Sequence, residues 1–168
     1  MIRKAEASDV PRIAEIRVFG WRSAYRGIIS DEILYKDTLV TTDIQKWAAR
    51  FDDNDKGFEN YVYDDGILKA FLCIGPCPEE DKPGAFELGA IYVDPGFKSQ
   101  GIGTALANFC EKKAAEGGFR EVCLWTFEKN TPTRAFYESL GYKPDGATMI
   151  VEAYNAMGVR YSKDITQY

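Results

Sequence analysis

The stretch from Phe86 to Ala107 limits the fold of this chain more than any other: an apolar strand, a Pro-Gly break, a glycine-bearing turn and a helix follow one another without a gap. The strand reads Phe86-Glu87-Leu88-Gly89-Ala90-Ile91-Tyr92-Val93, with apolar residues at both parities from Leu88 to Val93. That pattern predicts a strand in the middle of a sheet, buried on both faces. Asp94-Pro95-Gly96 ends it, because Pro95 lacks the N–H that a ladder needs. Lys98-Ser99-Gln100-Gly101-Ile102-Gly103-Thr104 then leads into the amphipathic run Ala105-Leu106-Ala107-Asn108-Phe109-Cys110. Glycines at alternate positions let a ligand approach the backbone N–H groups where a helix begins and its unpaired donors point outward. Such a turn is a seat for phosphate, although the same residues also serve as a tight turn without a ligand.

Two familiar phosphate loops do not match. The chain contains no Gly-x-x-x-x-Gly-Lys-Ser/Thr run. A dinucleotide fingerprint requires a third glycine where Leu106 stands, and Glu121, at the right distance for a ribose, reads as solvated surface.

At 168 residues the chain has the length of one domain, here residues 1–168, with enough sequence for a real core. No apolar run is long enough to span a bilayer and Met1-Ile2-Arg3-Lys4-Ala5-Glu6 leads into a strand, so the expectation is a cytoplasmic protein without a membrane partner. A net charge of −5 without a basic block argues against nucleic acid and favours a cationic ligand. Histidine is absent, which removes the commonest general base and the commonest zinc ligand, so no metal is expected. Cys73, Cys77, Cys110 and Cys123 show no Cys-x-x-Cys spacing and read as core thiols.

Ile2 to Ala7 reads as a first strand, and Ser8-Asp9-Val10-Pro11 opens a helix that carries Ile13, Ile16, Val18 and Trp21 to about Tyr25, with Gly20 weakening it. Asp31 to Tyr35 is a short helical piece, and Thr41 or Thr42 caps a helix through Ile44, Trp47, Ala48 and Phe51. Asp52 to Gly57 is an acidic loop without EF-hand spacing, read as solvated charge rather than a calcium site. Asn60–Tyr63 and Ile67–Ile74 form a hairpin around Asp64-Asp65-Gly66. The helix after Gly103 buries Ile102, Leu106, Phe109 and Cys110, shows Glu111, Lys112 and Lys113 to water and ends at Gly117-Gly118. A strand Glu121–Phe127, a helix from Thr131-Pro132 to Gly141 and an antiparallel pair between Thr148 and Tyr161 complete the chain. The order predicts a mixed α/β (α+β) domain.

Lys98-x-x-Gly101-x-Gly103 after Glu87-Leu88-x-x-Ile91-Tyr92-Val93-x-Pro95 resembles the acyl-CoA-binding motif of the GNAT superfamily of N-acyltransferases. Lys98 stands where the family has Gln or Arg and keeps the positive charge of the latter. Asn130 followed by Ala135-Phe136-Tyr137-Glu138 and Leu140-Gly141-Tyr142 resembles its C-terminal motif, and the likeness runs from Ile2 to Ile165. It implies a mostly antiparallel mixed sheet, flanked by helices, whose two central strands splay apart to admit coenzyme A. It implies an acetyl-CoA-dependent N-acetyltransferase, with acetyl-CoA as co-substrate and direct attack by a primary amine: a small amine, polyamine, amino acid, antibiotic or peptide N-terminus.

On that resemblance the pyrophosphate seat comprises Lys98, Ser99, Gln100, Gly101, Ile102, Gly103 and Thr104, and the main chain of Ile91, Tyr92 and Val93 pairs with the pantetheine arm. Lys98 read alone is first of all a snorkelling surface lysine, and Asn130 either holds the cofactor arm or is a turn residue. Tyr137 is the expected general acid, since a phenol with a pKa of about 10 is protonated at neutral pH and can donate to a thiolate whose conjugate acid has a pKa of about 8.5. Glu87 is the expected base, with Glu152 and Tyr25 as alternatives. Trp21, Tyr25 and Tyr35, with Trp47 behind, are expected at the acceptor mouth, where aromatic faces suit a cation. A coenzyme A sensor without turnover and a partner-binding domain with an empty cleft are the rival readings, and the aromatic-rich tail from Met149 to Tyr161 offers a surface for a homodimer.

Overall fold

A computed structural model describes residues 1–52 and 57–167. The elements run β1 (Ile2–Lys4), α1 (Val10–Tyr25), α2 (Asp31–Asp37), α3 (Val40–Asp52), β2 (Glu59–Asp64), β3 (Leu68–Pro76), β4 (Phe86–Val93), α4 (Ile102–Glu116), β5 (Glu121–Phe127), α5 (Thr131–Ser139), β6 (Lys143–Val151) and β7 (Ala156–Asp164). The strands form one seven-stranded sheet in the order β1-β2-β3-β4-β5-β7-β6, antiparallel throughout except for β4 and β5.

Strand alternation sorts the apolar side chains into two layers. Tyr61, Ala70, Leu72, Ile74, Leu88, Val122 and Leu124 face α4, meeting Leu106, Ala107, Cys110 and Tyr137. Val62, Phe71, Ala90 and Tyr92 face the other way, against Ile13, Ala14 and Ile16 of α1 and Trp47 of α3. A third cluster, Ile29, Leu34, Phe127 and Ala156, joins the α1–α2 connection to the ends of β5 and β7.

Several boundaries move. The first strand ends at Lys4, and a 3₁₀ turn over Ala7–Asp9 precedes α1, so Asp9 rather than Ser8 stands at its N-cap. Helix α3 begins at Val40, which puts Thr41 and Thr42 inside its first turn. Most of the acidic loop expected over Asp52–Gly57 lies outside the described residues. Glu111, read as solvent-facing, is 1% exposed because Lys163 of β7 donates to both of its carboxylate oxygens at 2.8 Å. A helical wheel drawn on α4 alone has no record of that strand. The last pair starts earlier than Thr148: β6 runs from Lys143 along the sheet edge, and its Ile150 is 64% exposed.

Candidate active site

The centre of the sheet departs from a regular ladder in two ways. Strand β4 pairs fully with β3, but the register jumps from Cys73↔Ala90 to Ile74↔Leu88, leaving Gly89 as a bulge. The bulge resets the alternation, so that Leu88 and Ile91 face α4 while Ala90 and Tyr92 face α1. On its other side β4 meets β5 only at Phe86↔Val122 and Glu87↔Cys123. Beyond those pairs the strands diverge, and the N–H and C=O groups of β4 from Leu88 onward have no ladder partner on that side.

The strand expected to be buried on both faces is therefore central but half open: Ala90, Ile91, Tyr92 and Val93 are each partly exposed and Gly89 is exposed. A continuous apolar run says that both faces are apolar, whatever covers them.

The divergence opens a cleft of about 510 Å³. Leu88 to Val93 form one wall, Trp125, Thr126 and Asn130 the other, and Phe97, Lys98, Ser99 and Gly101 to Thr104 line the end where the strands have parted. Phe136 and Tyr137 reach in from α5, and Gly20, Ala24 and Tyr25 from α1. Ile91, Tyr92, Val93, Lys98, Ser99, Gly101, Ile102, Gly103, Thr104, Asn130 and Tyr137 thus meet at one site; Gln100 is exposed outside it.

The turn into α4 is built from two left-handed residues, Ser99 at φ 61° and Gly101 at φ 78°. Gly101 is the N-cap of α4, so the helix starts at Ile102, and Gly103 and Thr104 occupy its first turn with free N–H groups. The two glycines have different uses. Gly101 supplies the positive φ, whereas Gly103 makes room for a ring: a Cβ there would stand 3.3 Å from Phe136 Cζ. Lys98 Nζ donates to Ser23 Oγ at 3.0 Å, tying the turn to α1.

Tyr137 is 6% exposed, and burial raises its phenol pKa well above the ordinary value. Asn130, 4% exposed, is the N-cap of α5, yet its side chain makes no capping hydrogen bond and lines the cleft. Tyr25 and Tyr92 join their hydroxyls at 3.3 Å, and burial raises both phenols.

Glu87 lies outside the cleft, at the closed end where β4 and β5 still pair. Burial raises its carboxyl pKa, with nearby Glu79 adding to the shift. Glu152 is exposed in a 3₁₀ turn after β6. Tyr35 lies apart: it is 40% exposed, accepts from Arg26 Nη2 at 2.7 Å and carries the Arg22 guanidinium over its ring.

A second cavity, of about 640 Å³, opens on the α1 face of the sheet and shares Gly89, Ala90 and Tyr92 with the cleft. Trp21, Trp47 and Phe58 line it together with Lys4, Arg17, Arg50 and Glu59. Trp47 is 4% exposed and packs edge-on against Phe71. Trp21 meets Tyr25 and Tyr154 edge-on and lies under the Arg17 guanidinium.

Gly20, Trp125, Thr126, Thr133 and Phe136 also line the cleft, and nothing in the sequence marks them as lining residues. Phe136 lies on α5 within the Ala135–Tyr142 motif, and Trp125 belongs to β5. The gap beside them carries no local signal. The cleft can hold an extended ligand that bears amides along its length and a phosphate at one end. Unpaired strand groups can accept amide pairing along one wall, apolar side chains line its length, and free helix N–H groups stand at its mouth.

Comparison with known proteins bears on the family and the fold. The model of the acetyltransferase (GNAT) family matches residues 21–142. The uncharacterized N-acetyltransferase YuaI of Bacillus subtilis (strain 168) is 30% identical over 145 residues, covering 86% of this chain and 79% of that protein. The spermidine N(1)-acetyltransferase of Thermoplasma acidophilum is 25% identical over 163 residues, covering 90% of this chain and 94% of that one. The crystal structure of PaiA N-acetyltransferase from the same organism, in complex with coenzyme A, superposes with a TM-score of 0.74 at 20% identity, over 98% of both chains.

Proposed function

The chain belongs to the GNAT family of acetyltransferases, and on that footing we propose that it is an acetyl-CoA-dependent N-acetyltransferase, acting as one domain over residues 1–168 on a primary amine. The observation that carries this reading is the unpaired edge of β4 beyond Glu87, which lines one cleft with the free N–H groups at the start of α4 and with Tyr137.

In this reading the amides from Ser99 to Thr104 and Lys98 hold the pyrophosphate, while the main chain of Ile91 to Val93 takes the pantetheine arm as an added strand. Asn130, with its side chain unspent on capping, holds the arm from the opposite wall. The amine nitrogen attacks the thioester carbon, an amide of β4 faces the developing oxyanion, and the carbon–sulfur bond breaks. Tyr137 gives its proton to the departing thiolate. Glu87 accepts the amine proton through water; its burial-raised pKa brings it nearer neutrality, and it directly precedes Leu88 and Gly89 of the cleft wall.

The acceptor enters from the α1 face, past Trp21 and Tyr25. Lys4 pairs there with Glu59 and Arg17 with Asp43, while the aromatic faces of Trp21 and Tyr25 suit a cationic primary amine.

The test begins with thermal unfolding in acetyl-CoA, since a ligand at about a hundred times its Kd adds about 2.7 kcal/mol. The expected result is an upward shift that Gly101→Val abolishes, followed by thiol release with at least one primary amine from a panel of amino acids, polyamines and peptides. No shift at saturation overturns the reading in favour of a partner-binding domain. A shift without turnover across the amine panel makes the chain a coenzyme A sensor.

A further inference from the structure

None of the four cysteines is in a disulfide, but two of them meet: Cys123 Sγ donates to Cys77 Sγ at 3.1 Å. They lie 46 positions apart in the chain, and both are held from the backbone. Cys123 is in mid-ladder on β5, opposite Glu87 of β4 and Ser162 of β7. Cys77 directly follows β3, and its N–H donates to the Ala85 carbonyl at 3.0 Å, next to the Pro76↔Phe86 pair.

Ion pairs fasten the loop between Cys77 and Ala85 to the same region. Arg160 of β7, 4% exposed and stacked over Trp125, binds Asp81, and Lys82 binds Glu121 of β5. Both thiols are thus carried by fixed main chain. Bonded sulfurs stand about 2.0 Å apart, so a covalent link requires them to close by only about 1 Å. Cys123 is buried while Cys77 is half-buried, which leaves one sulfur of the pair accessible to a small reagent.

We propose that Cys77 and Cys123 are a reversible dithiol–disulfide site, oxidised by a low-molecular-weight disulfide. The Cys77 thiolate attacks one sulfur of the reagent, whose S–S bond breaks and releases one thiolate, leaving a mixed disulfide on Cys77. Cys123 Sγ then attacks Cys77 Sγ, the second reagent thiolate departs, and the Cys123 proton passes to it. Two protein thiols are oxidised and one small disulfide is reduced to two thiols. Burial keeps the Cys123 thiol pKa well above its usual value, which makes Cys77 the first nucleophile and Cys123 the resolving group. The bond ties the β3–β4 connection to β5 at the closed end of the cleft, beside Glu87, and by closing a long loop it raises the melting temperature.

The test treats the full chain with oxidised glutathione, blocks the remaining thiols and maps peptides by mass spectrometry. The expected product has lost two hydrogens, carries no glutathione, links Cys77 to Cys123, melts higher and is restored by dithiothreitol. Cys77→Ser is expected to abolish the link, and Cys123→Ser to stop at a glutathione adduct on Cys77. Retention of all four thiols in the unsubstituted protein overturns the proposal whatever the variants do. A link through Cys73 or Cys110 overturns it equally.

Discussion

The Tyr92 ring lies against the backbone of Gly20, so close that a Cβ at Gly20 would stand 2.8 Å from Tyr92 Cδ1. A glycine that reads in the sequence as a weak point of α1 is thus the place where helix and central strand touch. Tyr92 is held on its other side by stacking on Phe71 at 5.4 Å. Gly20→Ala, worth up to about 1 kcal/mol in favour of an isolated helix, is expected to destabilise this protein by about 1–3 kcal/mol through overpacking. Urea unfolding of the two proteins checks the sign.

Tyr137→Phe removes a hydroxyl from the cleft and almost no volume. Turnover is expected to fall by about 10²–10⁴, the range for loss of a general acid, while the Kd for acetyl-CoA stays close to its original value. Because burial raises the phenol pKa, the group stays protonated beyond pH 10, and the unsubstituted enzyme shows no alkaline limb from it below about that pH. A kcat profile and a binding isotherm measure both.

Glu87→Gln tests the proposed base. With the carboxylate gone, kcat is expected to drop about 10²-fold and the acid limb of its pH profile to disappear. In the unsubstituted enzyme that limb lies above the usual carboxylate pKa of about 4.3, because burial and Glu79 raise this group. An unchanged profile would move the role to Tyr25 or Glu152.

Gly103→Val places branched carbon against Phe136, whose Cζ is 3.3 Å from the nearest Cβ position. The ring lines the cleft and is expected to be driven into it, so acetyl-CoA affinity falls at least tenfold, about 1.4 kcal/mol, while helix α4 is retained. Isothermal titration and far-ultraviolet circular dichroism read the two effects separately.

Arg160→Met cuts the bonds to Asp81 and Asp145 and is expected to cost about 2 kcal/mol at pH 7, the scale of a charged hydrogen bond. Partial burial works against the Asp145 charge, but the Ala147 N–H, Arg160 and Lys82 outweigh it and hold the carboxyl below its ordinary range. A depressed carboxyl contributes stability above its unfolded pKa of about 3.9 and loses it as pH falls through the folded value. The difference between the two proteins is therefore expected to narrow as pH falls below about 4. Denaturant titrations at neutral and acid pH check it.

The sequence by itself determined what is local or periodic. Strand alternation and helical spacing settled which segments are strands and helices. The Gly101 turn and the Ala135–Tyr142 run identified the family, and helix-cap chemistry located α4 and α5 within a few residues. The tertiary structure decided what depends on residues distant in the chain. The opening between β4 and β5 exists because their pairing stops after Glu87 and Cys123, and no property of either strand alone records where a neighbour departs. The bulge at Gly89, the burial of Glu111 beneath Lys163 and the meeting of Cys77 with Cys123 have the same origin: each is set by a partner that only the folded chain brings near.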